Sequence, residues 1–160
     1  MYRPAHKLVV WVVLSLVCSL ALAQAQSKPN FTGTWKVNNS KSDFGPMPAP
    51  QSSTSKIDHK EPSLRIATTW VGDQGERTFE FSYTTDGKEN TNSFGNVEFK
   101  SKATWEGSTL LIASKGSADS GEFTMKDKWS LSEDGKTLTV VRAFSGPMGE
   151  ATQTLIHEKQ

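Results

Sequence analysis

Residues 122–145 read Glu122-Phe123-Thr124-Met125-Lys126-Asp127-Lys128-Trp129-Ser130-Leu131-Ser132-Glu133-Asp134-Gly135-Lys136-Thr137-Leu138-Thr139-Val140-Val141-Arg142-Ala143-Phe144-Ser145. Two alternating runs flank Asp134-Gly135, and Asp-Gly between such runs is the strongest short-range hairpin signal, because a type I′ turn needs φ > 0 at both central residues. With Asp134 and Gly135 as the loop, Leu131 faces Leu138, Trp129 faces Val140, Asp127 faces Arg142 and Met125 faces Phe144, all on one side. The other side carries Thr124, Lys126, Lys128, Ser130 and Ser132 against Thr137, Thr139, Val141 and Ala143. A strand shows alternate residues to opposite faces, so the first side is the interior and the second meets solvent.

Outward from this hairpin the same period continues. Segments at Thr54 to Lys60, Leu64 to Val71, Glu76 to Thr84, Glu89 to Phe94, Val97 to Glu106, Thr109 to Lys115, Glu122 to Ser132, Thr137 to Ser145 and Ala151 to Glu158 read as strands, after a first one at Phe31 to Asn38. Turn signals separate them: Glu61-Pro62-Ser63, Gly72 to Gly75, Asp86-Gly87, Gly95-Asn96, Gly107-Ser108, Gly116 to Gly121 and Gly146 to Gly149. No amphipathic helical stretch of useful length interrupts the series. About ten short strands joined by tight turns must pack as two layers or close into a barrel to remove their edges. Closure is preferred, since a sandwich would need longer cross-connections. The expected fold is therefore all-β, an antiparallel up-and-down meander closed into a barrel of about 8–10 strands.

The one long loop is residues 39–52, where Pro46, Pro48 and Pro50 deny both helix and central strand. It is expected to be an extended flap across a barrel mouth or edge, anchored by Phe44 and Met47. With Gly107-Ser108 as a turn, Trp105 faces Leu110 and Ala103 faces Ile112; with Asp73-Gln74, Ile66 faces Phe81 and Leu64 faces Tyr83. Phe79, Phe81 and Tyr83 then line the interior and meet Asn90, Asn92 and Phe94 across Asp86-Gly87. The interior reads as apolar with a few polar insertions.

The insertion with most consequence is Asp127 opposite Arg142, because a charge on an apolar face is costly unless it is paired or reached by water. Two readings stand. One is a cross-strand ion pair that fixes register or closes one end. The other is a guanidinium that orients the head group of an amphipathic ligand, with Asp127 as its resting partner and Tyr83, Asn90 or Asn92 assisting. The candidate ligand-binding set is Phe79, Phe81, Tyr83, Met125, Asp127, Trp129, Arg142 and Phe144.

The N-terminus sets the expected address. Arg3 and Lys7 precede an apolar run from Leu8 to Leu22, which ends in Ala21-Leu22-Ala23-Gln24-Ala25. This is the pattern of a signal peptide over residues 1–25, cleaved after Ala23 or Ala25, and the run is too short to span a bilayer. Cys18 follows Val17 rather than a small residue, so a lipid tether is not expected. Cys18 is the single cysteine, so the mature chain, residues 26–160, has no disulfide and depends on its core. With Arg3 and Lys7 taken from 18 basic residues, 16 remain against 17 acids, a net charge of about −1. That balance points to neither nucleic acid nor anionic lipid. The mature protein is expected to be one domain, monomeric, periplasmic or secreted.

At Phe31-Thr32-Gly33-Thr34-Trp35 the chain resembles the Gly-x-Trp signature of lipocalin-like (calycin) barrels. It also resembles uncharacterised secreted bacterial proteins with a Gly-Thr-Trp-Lys first strand followed by Lys-Ser-x-Phe-Gly, here Lys41 to Gly45. The resemblance implies that Gly33 and Trp35 form a plug at one barrel end, and that a late arginine, for which Arg142 is the counterpart, packs over the tryptophan. It further implies a barrel that binds a small apolar or amphipathic molecule, an analogy of fold that does not fix function.

Chemistry beyond binding lacks parts. His59 and His157 are the histidines of the mature chain and are expected at solvent-exposed strand ends; with no thiol beside them, neither a metal site nor thiol catalysis is expected. There is no Gly-x-Ser-x-Gly elbow, no phosphate-cradling loop before a helix, and one inward carboxylate where glycosidase chemistry wants two. No catalytic residues and no cofactor are assigned. The leading expectation is an exported binding barrel; the alternative is a side-chain-filled barrel that acts as a structural or protein-interaction module.

Overall fold

The computed structural model describes residues 28–147 and 149–160; the signal peptide expected over residues 1–25 lies outside the described residues. Ten strands follow in chain order: β1 Gly33–Val37, β2 Ser52–Lys60, β3 Ser63–Gly72, β4 Gly75–Thr84, β5 Glu89–Phe94, β6 Val97–Glu106, β7 Thr109–Ala118, β8 Gly121–Leu131, β9 Thr137–Gly146 and β10 Gly149–Lys159. All ladders are antiparallel, and the sheet order β4-β3-β2-β1-β10-β9-β8-β7-β6-β5 is an up-and-down meander in which β1 joins β10. The architecture is an all-β, lipocalin-like barrel, closed except where β4 meets β5.

The register follows the alternation. Leu131 pairs with Leu138, Trp129 with Val140, Asp127 with Arg142 and Met125 with Phe144. Leu64 and Ile66 pair with Tyr83 and Phe81, and Ala103 and Trp105 with Ile112 and Leu110. Inward positions at one end form a packed cluster that includes Phe31, Trp35, Leu64, Leu110, Trp129 and Leu138. Burial of aliphatic and aromatic side chains on this scale, at about 1.5–3 kcal/mol each, supplies the stability that no disulfide provides.

Three departures from the sequence reading have physical causes. First, β7 and β8 run on through Gly116 and Gly121 to a tight turn at Asp119-Ser120. Gly116 does not break the chain: a Cβ there would lie 2.5 Å from the ring of Phe123 and 2.9 Å from Phe99, so its bareness makes room for aromatic neighbours. Second, the Pro-rich segment follows the edge of β10, one of the two places expected for it, but Met47 is not its anchor. Asp43 N donates to Thr154 O and Thr154 N to Asp43 O, each at 2.8 Å, extending the position of β1. Met47 is 45% exposed and anchors nothing; Phe44 is half-buried and Pro50 is the buried residue. Third, β4 and β5 do not form a ladder across Asp86-Gly87. Thr85 N is drawn to Pro62 O (2.8 Å) and its hydroxyl to Glu61 (2.9 Å), while Gly87 N reaches Ala103 O (2.9 Å), so the turn is pinned to other strands and widens.

Candidate ligand site

The interior has three levels. At the plugged end Trp35 is fully buried and its Nε1 donates to Phe31 O at 2.8 Å. Phe31 stacks on Trp105 and meets Trp129 edge-on, with centroids 5.8 and 5.6 Å apart. Gly33, at φ 150°, lets Lys159 pass: a Cβ there would lie 2.8 Å from the lysine side chain, whose Nζ sits 5.4 Å over the Trp35 ring. The cation over Trp35 is thus Lys159, the residue paired with it across β1 and β10. Arg142, the counterpart implied by resemblance, is committed to Asp127 instead.

This end is closed from outside by Glu61. Its carboxylate receives Lys28 Nζ, His59 Nε2, Thr85 Oγ1 and Trp105 Nε1 at 2.9–3.0 Å. Partial burial alone would raise its pKa, but these four donors outweigh it and pull the group to about 2. His59 accepts Phe31 N at Nδ1 (3.2 Å) and so donates from Nε2. His59 and His157 are both buried, not exposed as expected. Among the described residues no three His, Cys, Asp or Glu side chains come together to hold a metal.

The middle level is polar, and the register explains it. Ser55 pairs with Thr68, Ser101 with Ser114, Asp127 with Arg142 and Arg142 with Gln153, all inward. The hydroxyls of Ser55 and Thr68, and those of Ser101 and Ser114, are 2.8 Å apart. Arg142 Nε donates to Asp127 Oδ1 at 2.8 Å and Nη2 to Oδ2 at 2.7 Å, a bidentate pair. Asp127 is buried, with a side chain 6% exposed, whereas that of Arg142 remains 33% exposed although it points inward. Burial would lower the Arg142 pKa, but the charge and hydrogen bonds of Asp127 reverse this and raise it. Burial also raises the phenol of Tyr83, with Asp127 adding to the shift and Arg142 opposing it, so Tyr83 shares their electrostatic environment.

The third level is an aromatic mouth. Phe79 contacts Phe81 and Phe94 (5.4 and 5.1 Å), Phe81 contacts Phe99 (5.5 Å), and Phe123 stacks on Phe144 (5.8 Å). Phe79, Phe81, Met125 and Phe144 are half-buried.

Phe79, Phe81 and Tyr83 on β4, Met125 and Asp127 on β8, and Arg142 and Phe144 on β9 share the inward parity, and Tyr83 belongs to the packed cluster. Trp129 shares that parity and packs in the plug against Phe31. Asn90 and Asn92 act in the wall between β4 and β5. Asn92 accepts Ser82 N (2.7 Å) and donates to Ser82 O (3.1 Å), and Asn90 accepts Thr84 N (2.8 Å), so side chains replace the missing β4–β5 ladder. Ser55, Thr68, Ser101, Ser114 and Gln153 were not chosen from sequence, although the Gly107-Ser108 register already sets Ser101 and Ser114 on the side of Ala103 and Ile112.

No protein-family model matches the sequence, and no curated protein matches it. Solved structures do. Secretory abundant heat soluble protein 4 from Ramazzottius varieornatus superposes with a TM-score of 0.60 at 18% identity, covering 81% of this chain and 94% of that one. Zebrafish ileal bile acid-binding protein, complexed with cholic acid, gives 0.56 at 18% identity over 81% and 98%. A second secretory abundant heat soluble protein from Ramazzottius varieornatus gives 0.59 at 14% over 85% and 99%. At such identities the likeness is one of fold, and the fold it shows is the calycin-like barrel.

Proposed function

We propose that this protein is an exported barrel that binds a small amphipathic molecule, its apolar part among Phe79, Phe81, Met125 and Phe144 and its polar part against the middle band. One observation carries the reading: Arg142 points inward, is held in a fixed orientation by Asp127, and keeps a third of its side chain open. A site with apolar walls and a few convergent polar groups is the usual form of a small-molecule site. The zebrafish neighbour, which shares the fold, holds cholic acid, itself an amphipath. Export rests on the sequence of residues 1–25, and N-terminal sequencing of the mature chain, beginning at Gln24 or Gln26, tests it.

Binding is tested by titrating the purified protein with the neutral fluorophore N-phenyl-1-naphthylamine, beside native mass spectrometry of protein isolated from its own host. Uptake of the dye, weakened in an Arg142→Met variant that still folds, is the expected result. If stability falls in that variant while uptake is unchanged, Arg142 is a structural group with no part in binding. If the interior takes up no probe and no ligand is co-isolated, the second reading remains: a surface-acting module, which the tightly packed plug around Trp35 and Phe31 favours.

A further inference from the structure

We infer that the interior selects amphipathic molecules with an uncharged head group and discriminates against free carboxylates. This deepens the proposed ligand reading and rests on it. The guanidinium of Arg142 is the inward cation of the middle band, and the fork it would offer to a ligand carboxylate is already filled. Nε and Nη2 are both engaged by the two oxygens of Asp127, at 2.8 and 2.7 Å. Bidentate recognition of a second carboxylate at this edge would require Asp127 to leave, and Asp127 is itself buried, with Arg142 as its side-chain partner. An anion approaching the remaining Nη1 edge meets a pair whose net charge is zero, with the negative member of that pair close by.

The other groups of the band make the same selection. The Ser55–Thr68 and Ser101–Ser114 pairs each use one hydroxyl proton between them, which leaves each pair one O–H to give and lone pairs to accept. Gln153 spends one N–H on Phe44 O (2.9 Å) and retains a carbonyl oxygen and a second N–H. Tyr83 adds a hydroxyl that burial keeps protonated. His157, at the lower edge of the band, is held neutral by burial and adds no positive charge. Each of these groups is 9% exposed or less, so the band surrounds Arg142 with an uncharged wall. With the charge of Arg142 already matched by Asp127, that wall offers a carboxylate no compensating cation among the described residues.

The test is competition against N-phenyl-1-naphthylamine by two molecules with the same twelve-carbon acyl chain, sodium dodecanoate and 1-monododecanoylglycerol, at pH 7.5 and below their micelle concentrations. The glycerol ester is expected to displace the dye at a concentration at least about tenfold lower, the least effect that one neighbouring charge has on an ionising carboxylate. Asp127→Asn frees the Arg142 fork and should reverse the order, with dodecanoate gaining about tenfold or more and the ester changing little. Should Asp127→Asn fail to fold, the wild-type comparison decides alone. A wild-type preference for dodecanoate overturns this inference and leaves the ligand reading standing. No uptake of dye, acid or ester removes both.

Discussion

Replacing Asn92 by alanine would test how the barrel is closed between β4 and β5. Elsewhere neighbouring strands are joined by backbone ladders, but here Asn92 Oδ1 takes the amide of Ser82 at 2.7 Å and its Nδ2 reaches the carbonyl of Ser82 at 3.1 Å. One side chain therefore satisfies both backbone groups of a residue on the facing strand. Each neutral bond contributes about 0.5–1.5 kcal/mol net, and Ser82 is exposed enough for water to take over part of the pairing, so the loss should be about 1–2 kcal/mol. That is a factor of about 5–30 in a local opening equilibrium. Amide hydrogen exchange followed by NMR reads it directly: the Ser82 amide should exchange faster by that factor in Asn92→Ala. The Thr84 amide, held by Asn90 at 2.8 Å, should keep its protection and serves as the internal control. Urea unfolding should show a parallel fall in the midpoint. Unchanged exchange at Ser82 would refute the reasoning, since it would mean that another group, not Asn92, holds this edge of the barrel.

Two further predictions concern pH. Burial, with the charge of Arg142 adding, lowers His157 from 6.5 to about 4, so between those values the unfolded chain binds the proton and the native one does not. Stability should fall as pH drops from about 6.5 to 4, by about 3 kcal/mol at 1.36 kcal/mol per unit, and His157→Leu should flatten that part of a pH series of urea melts; an unaltered slope would refute it. Glu61 is shifted from 4.5 to about 2 in the folded state, so its contribution is complete above pH 4.5 and is lost as pH falls toward 2. Because its carboxylate is 38% exposed the effect should be only about 1 kcal/mol, measured as the difference in acid unfolding between wild type and Glu61→Gln.

The hairpin at Asp134-Gly135 shows what the sequence made legible. An Asp-Gly pair and unbroken alternation on both sides fix every facing pair from Met125 and Phe144 to Leu131 and Leu138, as the ladder has them. The same reasoning failed across Asp86-Gly87, where the turn signal is equally strong. There the deciding groups are distant in sequence: Glu61 and Pro62 capture Thr85, and Ala103 captures Gly87. A local rule cannot anticipate bonds made by another hairpin. Gly116 was misleading for a related reason, because its bareness serves the ring of Phe123, which reaches it only once β7 and β8 have paired. The serine band escaped notice because serine at a strand position ordinarily reads as a solvent face. Its parity with Ala103 and Ile112 was the available signal, and hydroxyl pairing across the ladder is what makes burial tolerable there.

These placements divide the molecule along its axis. The side chains withdrawn most completely from water, Phe31, Trp35, Leu64, Leu110 and Leu138, belong to the packed cluster, together with Trp129. The half-buried Phe79, Phe81, Met125 and Phe144 lie on the inward face beyond the polar band. A barrel without disulfides needs a dense core, yet a barrel that admits a ligand cannot be dense throughout. Concentrating Trp35, Trp105, Trp129, His59 and the Glu61 hub at one end meets the first need. The Gly-x-Trp strand belongs to that arrangement: Gly33 lets Lys159 cross over Trp35, and Trp35 ties its indole to Phe31, so the plug is locked by contacts that do not involve Arg142. That independence leaves the guanidinium, with Asp127 as its partner, available to the interior.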